Sequence, residues 1–288
     1  MRRWPGLVAP MLLLACGAQA AAAACSVSVP TVNFGTYTGT LSTPGATPMT
    51  VTCGLLTLYT VALDAGVGVG ATTTTRKMTG PGSATLNYQM FQNSSRTTNW
   101  GNTAGTDTVS GTGIGSAQTL QIYPQAAAGQ IVVPGTYTDT ITVTVTPFLS
   151  AVVTTTFTVT ATVLATCTLS ATALSFGIYT GLVRDVASTL TITCTNTTTY
   201  NVGLDAGTAT GATVTTRKMT GPTSAKLNYA MYRNSTRTLN WGNTVGSDTL
   251  SSTGNGSAQL SNVFGRLAGG QVVPVGAYSD TIIVTVTY

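Results

Sequence analysis

The feature that most constrains this chain is that it repeats itself: shifted by 141 or 142 residues, nearly every distinctive motif meets a copy of itself. Cys25 aligns with Cys167 and Cys53 with Cys194, and Phe34-Gly35-Thr36-Tyr37 aligns with Phe176-Gly177-Ile178-Tyr179. Leu63-Asp64-Ala65-Gly66 falls on Leu204-Asp205-Ala206-Gly207, and Arg76-Lys77-Met78 on Arg217-Lys218-Met219. Leu86-Asn87-Tyr88 and Asn99-Trp100-Gly101-Asn102 meet Leu227-Asn228-Tyr229 and Asn240-Trp241-Gly242-Asn243. The organisation this implies is residues 1–20 as a leader, 21–147 as a first domain, 148–166 as a linker or donor-like strand, and 167–288 as a second domain. Of the three ways to pair four cysteines, only Cys25 with Cys53 and Cys167 with Cys194 keeps each bridge inside a repeat and makes the repeats equivalent. Each bridge would close a loop of about thirty residues, worth about 3–4 kcal/mol in the chain-entropy model.

Period-two alternation identifies the strands. Ile141, Val143 and Val145 are interleaved with threonines, and Ile282, Val284 and Val286 repeat the pattern in the second copy. Threonine occurs 61 times and glycine 32 times, a β-branched composition punctuated by turn residues. The expected fold is therefore all-β: two tandem Ig-like antiparallel sandwiches. Only 7% of residues are charged, there is no His, and all seven acids are scattered Asp. No imidazole-based triad or metal site can be built from this set, no carboxylate pair is evident, and neither an enzyme nor a cofactor is expected. The formal charge of +5 falls to ten bases against seven acids once Arg2 and Arg3 are set aside with the leader. With no basic run beyond the Arg-Lys pairs, nucleic-acid binding is not expected.

Arg2 and Arg3, the apolar stretch Leu7 to Ala15 and the Ala18-Gln19-Ala20 site have the form of a secretory signal peptide. No later stretch of about 20 apolar residues follows, so the exported chain is not expected to insert into a membrane. A second reading takes Leu13-Leu14-Ala15-Cys16 as a lipobox that leaves Cys16 lipidated, with Leu14 fitting that pattern poorly.

The order Cys, Phe-Gly-x-Tyr, Cys, Leu-Asp-Ala-Gly, Arg-Lys-Met, Leu-Asn-Tyr resembles the spore coat protein U-like domain, twice over nearly the whole exported chain. Some members are secreted coat proteins and more are subunits of archaic chaperone-usher pili. The resemblance implies pilin-like sandwiches lacking a last strand, which a neighbour's extension supplies after a periplasmic chaperone has filled the gap. The partners it implies are that chaperone, an outer-membrane usher and a donor-strand pilin. After Val145 the first repeat runs on into a further alternating segment, Phe157, Val159, Ala161 and Val163, expected to complete the first domain in cis. The second repeat stops just after Ile282, Val284 and Val286, so it is expected to be one strand short and to accept a strand there. With only Ala21 to Ala24 between the cleavage site and Cys25, the first domain has too little chain to donate. A chain that accepts without donating suits a fibre end, as in the two-domain tip adhesins this chain resembles.

Where the copies disagree, the first is the more apolar. Leu55, Leu56 and Leu58 stand where the second has Asn196, Thr197 and Thr199; Val67 and Val69 replace Thr208 and Thr210, and Ile114 replaces Asn255. These positions are candidate adhesive loops for an abiotic or cell surface, and the alternative is that the leucines pack under a loop. Arg76-Lys77 and Arg217-Lys218 are expected to serve strand edges or solubility. Trp100 and Trp241 are expected as partly buried anchors, or as sugar-stacking platforms if the chain is a carbohydrate-binding module. Asp64 and Asp205 open Asp-Ala-Gly turns. The functional expectation is a secreted adhesive subunit of a chaperone-usher pilus, reaching the cell surface through the periplasm. The alternatives are a coat protein that never polymerises and a lectin-like module.

Overall fold

A computed structural model describes residues 25–288, so the leader and Cys16 lie outside the described residues. The first sandwich contains β1 (Ser26–Ser28), β2 (Val32–Thr36), β3 (Thr47–Thr52), β4 (Leu58–Leu63), β5 (Arg76–Thr79), β6 (Thr85–Phe91), β7 (Val109–Thr112), β8 (Ala117–Gln125), β9 (Gly135–Pro147) and β10 (Val153–Val163). The second contains β11 (Cys167–Ala171), β12 (Arg184–Cys194), β13 (Thr199–Leu204), β14 (Arg217–Thr220), β15 (Lys226–Tyr232), β16 (Leu250–Thr253), β17 (Ala258–Leu267) and β18 (Val284–Thr287).

In the first sandwich one layer is β1-β3-β8-β6-β5 and the other is β7-β4-β9-β10-β2. Among the described strands the backbone ladder passes from one layer to the other where Thr79 of β5 pairs with Thr138 of β9. The inner positions of β9 and β10 are buried and the outer ones are mostly threonine, the outcome of strict alternation on a sheet with one wet face. The second sandwich repeats the first layer as β11-β12-β17-β15-β14, but its other layer is only β16-β13-β18. It has no counterpart of β2 or β10 among the described residues, and β18 is much shorter than β9. The disulfide Cys25–Cys53 ties the residue before β1 to the residue after its ladder partner β3, and Cys167–Cys194 ties the start of β11 to the end of its ladder partner β12.

The cores register this difference. Ile141, Val143, Val145, Tyr137 and Met78 are wholly buried in the first domain. Their counterparts Ile282, Val284, Val286, Tyr278 and Met219 are only partly buried in the second. The two copies carry the same residue at all five sites, so neighbouring backbone, and not side-chain choice, sets the burial. Phe157 of β10 is 4% exposed against this core. Replacing it with Ala should cost the first domain about 3–5 kcal/mol, read as a lowered midpoint in denaturant unfolding.

Candidate functional site

The two copies differ most at one groove. In the first domain β10 fills it, antiparallel to β9 and parallel to β2. The register sets Phe157 opposite Ile141, Val159 opposite Asp139, Ala161 opposite Tyr137 and Val163 opposite Gly135. On the other side Val159 pairs with Val32, and the Tyr37 backbone N–H donates to the Thr162 carbonyl at 2.8 Å. These four apolar side chains of β10 are buried.

In the second domain the flanking segments are present but unbridged: residues 174–178 form no strand, and the segment before β18 makes one bridge, Ser279 with Thr220. Between them lies a cavity of about 510 Å³ lined by Leu174, Phe176, Leu204, Met231, Val263 and Ile282. A second of about 780 Å³, lined by Tyr179, Leu267, Val273 and Gly276, shares Leu174, Phe176, Met219 and Tyr278 with it. The two form one apolar trough with an unpaired backbone edge on each side.

Two carboxylates hold the segment before β18 in place. Asp280 Oδ1 accepts from the Thr208 N–H at 2.9 Å, the Thr208 hydroxyl at 3.0 Å and the Thr281 N–H at 2.8 Å, and Oδ2 accepts from the Tyr229 hydroxyl at 2.8 Å. Asp205 Oδ1 accepts from the N–H groups of Gly207 and Ile283, both at 3.0 Å. Gly207 has φ +82°, and a side chain there would strike Asp280, so the Asp-Ala-Gly turn needs its glycine twice over. The first domain uses Asp139, Asp64 and Gly66 in the same way. The turn role of Asp64 and Asp205 was legible in sequence; their reach to the neighbouring strand was not.

Arg76 and Arg217 overturn the strand-edge expectation, since both are wholly buried. Arg76 donates to the carbonyls of Asp64, Thr73, Leu63 and Trp100 at 2.7–3.2 Å, and Arg217 to those of Asp205, Val214, Leu204 and Trp241 at 2.7–2.9 Å. A planar fork with five donors can gather carbonyls from three loops, which an ammonium cannot. Trp100 and Trp241 are also fully buried, with indole N–H groups donating to Val61 and Val202 carbonyls at 3.0 and 2.8 Å. They therefore offer no face for sugar stacking.

All six candidate adhesive residues are exposed, but they do not form one patch. Leu55, Leu56, Leu58 and Ile114 lie at one end of the first domain. There the Leu56 N–H donates to the Gly113 carbonyl at 2.7 Å and Leu58 pairs with Thr112. The β9–β10 hairpin joins this end, its Phe148 N–H donating to the Leu58 carbonyl at 2.7 Å, and adds exposed Phe148, Leu149 and Val152. These three lie in the stretch 148–166, expected to be a linker or donor-like strand, and the brief apolar run between two alternating strands is the sequence signal that marks them. Val67 lies elsewhere, its N–H bound by Asp139 at 2.8 Å. Asp139 precedes Pro147 by eight residues, roughly 27 Å along an extended strand. Because β10 runs antiparallel to β9, the apolar end is opposite the end where the chain leaves for the second domain.

This geometry defines a tandem β-sandwich protein with one domain closed by its own chain and one left open. The model of the Spore Coat Protein U domain matches residues 12–144 and again 153–285, and the chain belongs to that family in duplicate. It is 38% identical over 78 residues to Protein U of Myxococcus xanthus, a match covering 27% of this chain and 43% of that protein. The chain thus spans less than half the length of that curated relative. A chain of the CsuC–CsuE chaperone–tip adhesion subunit pre-assembly complex, from archaic chaperone-usher Csu pili of Acinetobacter baumannii, shares the fold. That match covers 92% of this chain and 100% of its own, with TM-score 0.55 and 18% identity. The CupB6 tip adhesin from Pseudomonas aeruginosa is more distant, with TM-score 0.41 and 8% identity over 92% of this chain and 94% of its own.

Two measurements follow from the buried groups. Iodide should scarcely quench Trp100 and Trp241 in the folded chain, and oligosaccharides should leave their emission unchanged. Burial, reinforced by Asp139 and Asp280, raises the Tyr88 and Tyr229 hydroxyls well above their ordinary value of 10.0. A raised folded pKa gives stability that is complete below the unfolded value and lost above it. The contribution of these two tyrosines should therefore be constant below about pH 10 and fall above it by about 1.4 kcal/mol per pH unit for each, as followed by denaturant titration of the wild type against Tyr88→Phe and Tyr229→Phe.

Proposed function

We propose that this chain is the surface-attaching tip subunit of a chaperone-usher pilus, exported through the periplasm and displayed on the cell. Its partners are then a periplasmic chaperone, an outer-membrane usher and a pilin that donates a strand. The observation that carries this reading is the pairing of a filled and an open groove in two copies of one sandwich. The first domain already holds Phe157, Val159, Ala161 and Val163 in its core. The second presents Ile282 and Val284 on the wall of an apolar trough, with Val286 partly buried beyond them and β18 paired to β13 alone among the described residues. An exposed edge beside exposed core is unfavourable in water, and a donated strand relieves both at once. The likeness in fold to a chaperone–tip adhesion subunit complex supports the same reading.

The apolar end of the first domain is the attachment surface in this proposal. Exposed Leu55, Leu56, Leu58, Ile114, Phe148 and Leu149 are drawn from three neighbouring loops, while the corresponding loop residues of the second domain include Asn196, Thr197, Thr199 and Asn255. Between residues 25 and 163 there are three bases and three acids, and Arg76 and Asp139 are buried. With so little charge to screen, contact through this end is hydrophobic in origin and suits an apolar abiotic or cellular surface.

The test is attachment of piliated cells to polystyrene. Changing Leu55, Leu56 and Leu58 to Thr together with Phe148→Ser and Leu149→Ser should abolish attachment while leaving assembly intact. Val67→Thr with Val69→Thr should leave attachment unchanged, since those side chains stand away from this end. Wild-type attachment should persist in high salt. Full attachment by the five-residue variant would remove the surface, and absence of the chain from purified fibres would remove the pilus reading.

A further inference from the structure

The trough in the second domain has a counterpart whose occupant is visible. Phe34, Tyr88, Tyr137, Asp139 and Ile141 around β10 reappear as Phe176, Tyr229, Tyr278, Asp280 and Ile282. The edge-to-face contact of Phe34 with Tyr88, centroids 5.7 Å apart, recurs between Phe176 and Tyr229 at the same 5.7 Å. The shape presented to an incoming strand is thus written in the first domain together with the strand that fits it.

Three features fix the order of side chains. Asp280 faces inward on the wall of the trough, its oxygens held by Thr208, Tyr229 and Thr281. Its counterpart Asp139 is 2% exposed, paired across the sheet with Val159. A carboxylate whose acceptor sites are already taken favours an apolar cover that brings no competing charge. Next, Tyr137 is wholly buried opposite Ala161, which is 1% exposed, so the ring leaves room for a methyl group and little more. Leu267 lines the cavity beside Tyr278 where the first domain has the smaller Ala126, so that end of the trough gains no room. Finally, Gly135 and Gly276 both sit against a proline ring, Pro81 or Pro222, so the last pairing position is also the same.

Building on the donor-strand reading above, we propose that the strand received by the second domain repeats the order of Phe157, Val159, Ala161 and Val163. It runs antiparallel to residues 276–282, with an aromatic residue opposite Ile282 and a β-branched one over Asp280. A small residue then faces Tyr278 and a second β-branched residue faces Gly276. The donor is a partner pilin's extended segment of this pattern, with polar residues between, and this chain's own residues 153–163 are a fitting surrogate. A one-residue slip would turn the threonines into the trough and the apolar residues out, so the register is unique.

The probe is a synthetic peptide of residues 153–163 added to the exported full-length chain and followed by fluorescence anisotropy and thermal unfolding. The parent peptide should bind saturably and raise the unfolding temperature. Ala161→Phe in the peptide should weaken binding about tenfold or more, because overpacking of a closed site costs 1–3 kcal/mol. Thr160→Phe, which changes the outer face, should alter affinity less than about twofold. A peptide with its apolar and polar positions exchanged should not bind. Equal affinity for the parent and Ala161→Phe peptides would overturn the proposed order while leaving strand donation standing. If no alternating peptide bound the folded chain, strand donation would fall and the order with it.

Discussion

The structure depends on what happens at the edge of β9. A strand in a sandwich needs a backbone partner on each side and apolar cover on its inner face, and β10 supplies both to the first domain in one stroke. Its N–H and C=O groups pair with β9 from Gly135 to Val145 and with β2 on the far side. Its four inner side chains close the core. Hydrogen bonding and burial are coupled here because the side-chain period of two locks them into one register.

The second domain works as an internal control on that coupling. Its first layer is intact, its disulfide is formed, and its Arg217 and Trp241 make the same buried hydrogen bonds as Arg76 and Trp100. Only the layer that would hold a β10 counterpart is reduced, to β16-β13-β18. The loss therefore stays local: the arginine hub and its loops do not need the tenth strand, while residues 174–178 form no strand and the segment before β18 keeps a single bridge, Ser279 with Thr220. The Asp205 and Asp280 carboxylates explain why residues 278–283 keep their place despite this. They replace ladder hydrogen bonds with side-chain ones, as the sequence of the first domain does redundantly.

Much of this was readable from sequence because repetition and alternation are regular signals. The shift of 141 or 142 residues exposed the two copies, and Val-Thr alternation exposed β9, β10 and β18 along with the face each would bury. What escaped was decided by tertiary neighbours. Arg76 reads as a surface base beside Lys77, yet its guanidinium is surrounded by carbonyls from residues 63, 64, 73 and 100, which no local pattern brings together. Trp100 beside a glycine looks like a turn anchor with an open face, and the fold closes that face completely. The apolar loop residues show the same limit, because composition marked Leu55 and Val67 alike and only the path of the chain separates them.

The apolar loop end of the first domain is likewise separate from the open groove, which lies in the second. The apolar end of the first domain is built on the β9–β10 hairpin, whose two strands also close the core, so the surface is held by the same ladder that completes the fold. A loop mounted on a fully paired hairpin loses little conformational entropy on contact, and exposed leucines there lie on a rigid support. The open trough sits in the other domain, and no residue of the apolar end contributes to its walls. Two copies of a single fold thus differ by one strand, whose presence pairs and covers the groove of the first domain and whose absence among the described residues leaves the same groove open in the second.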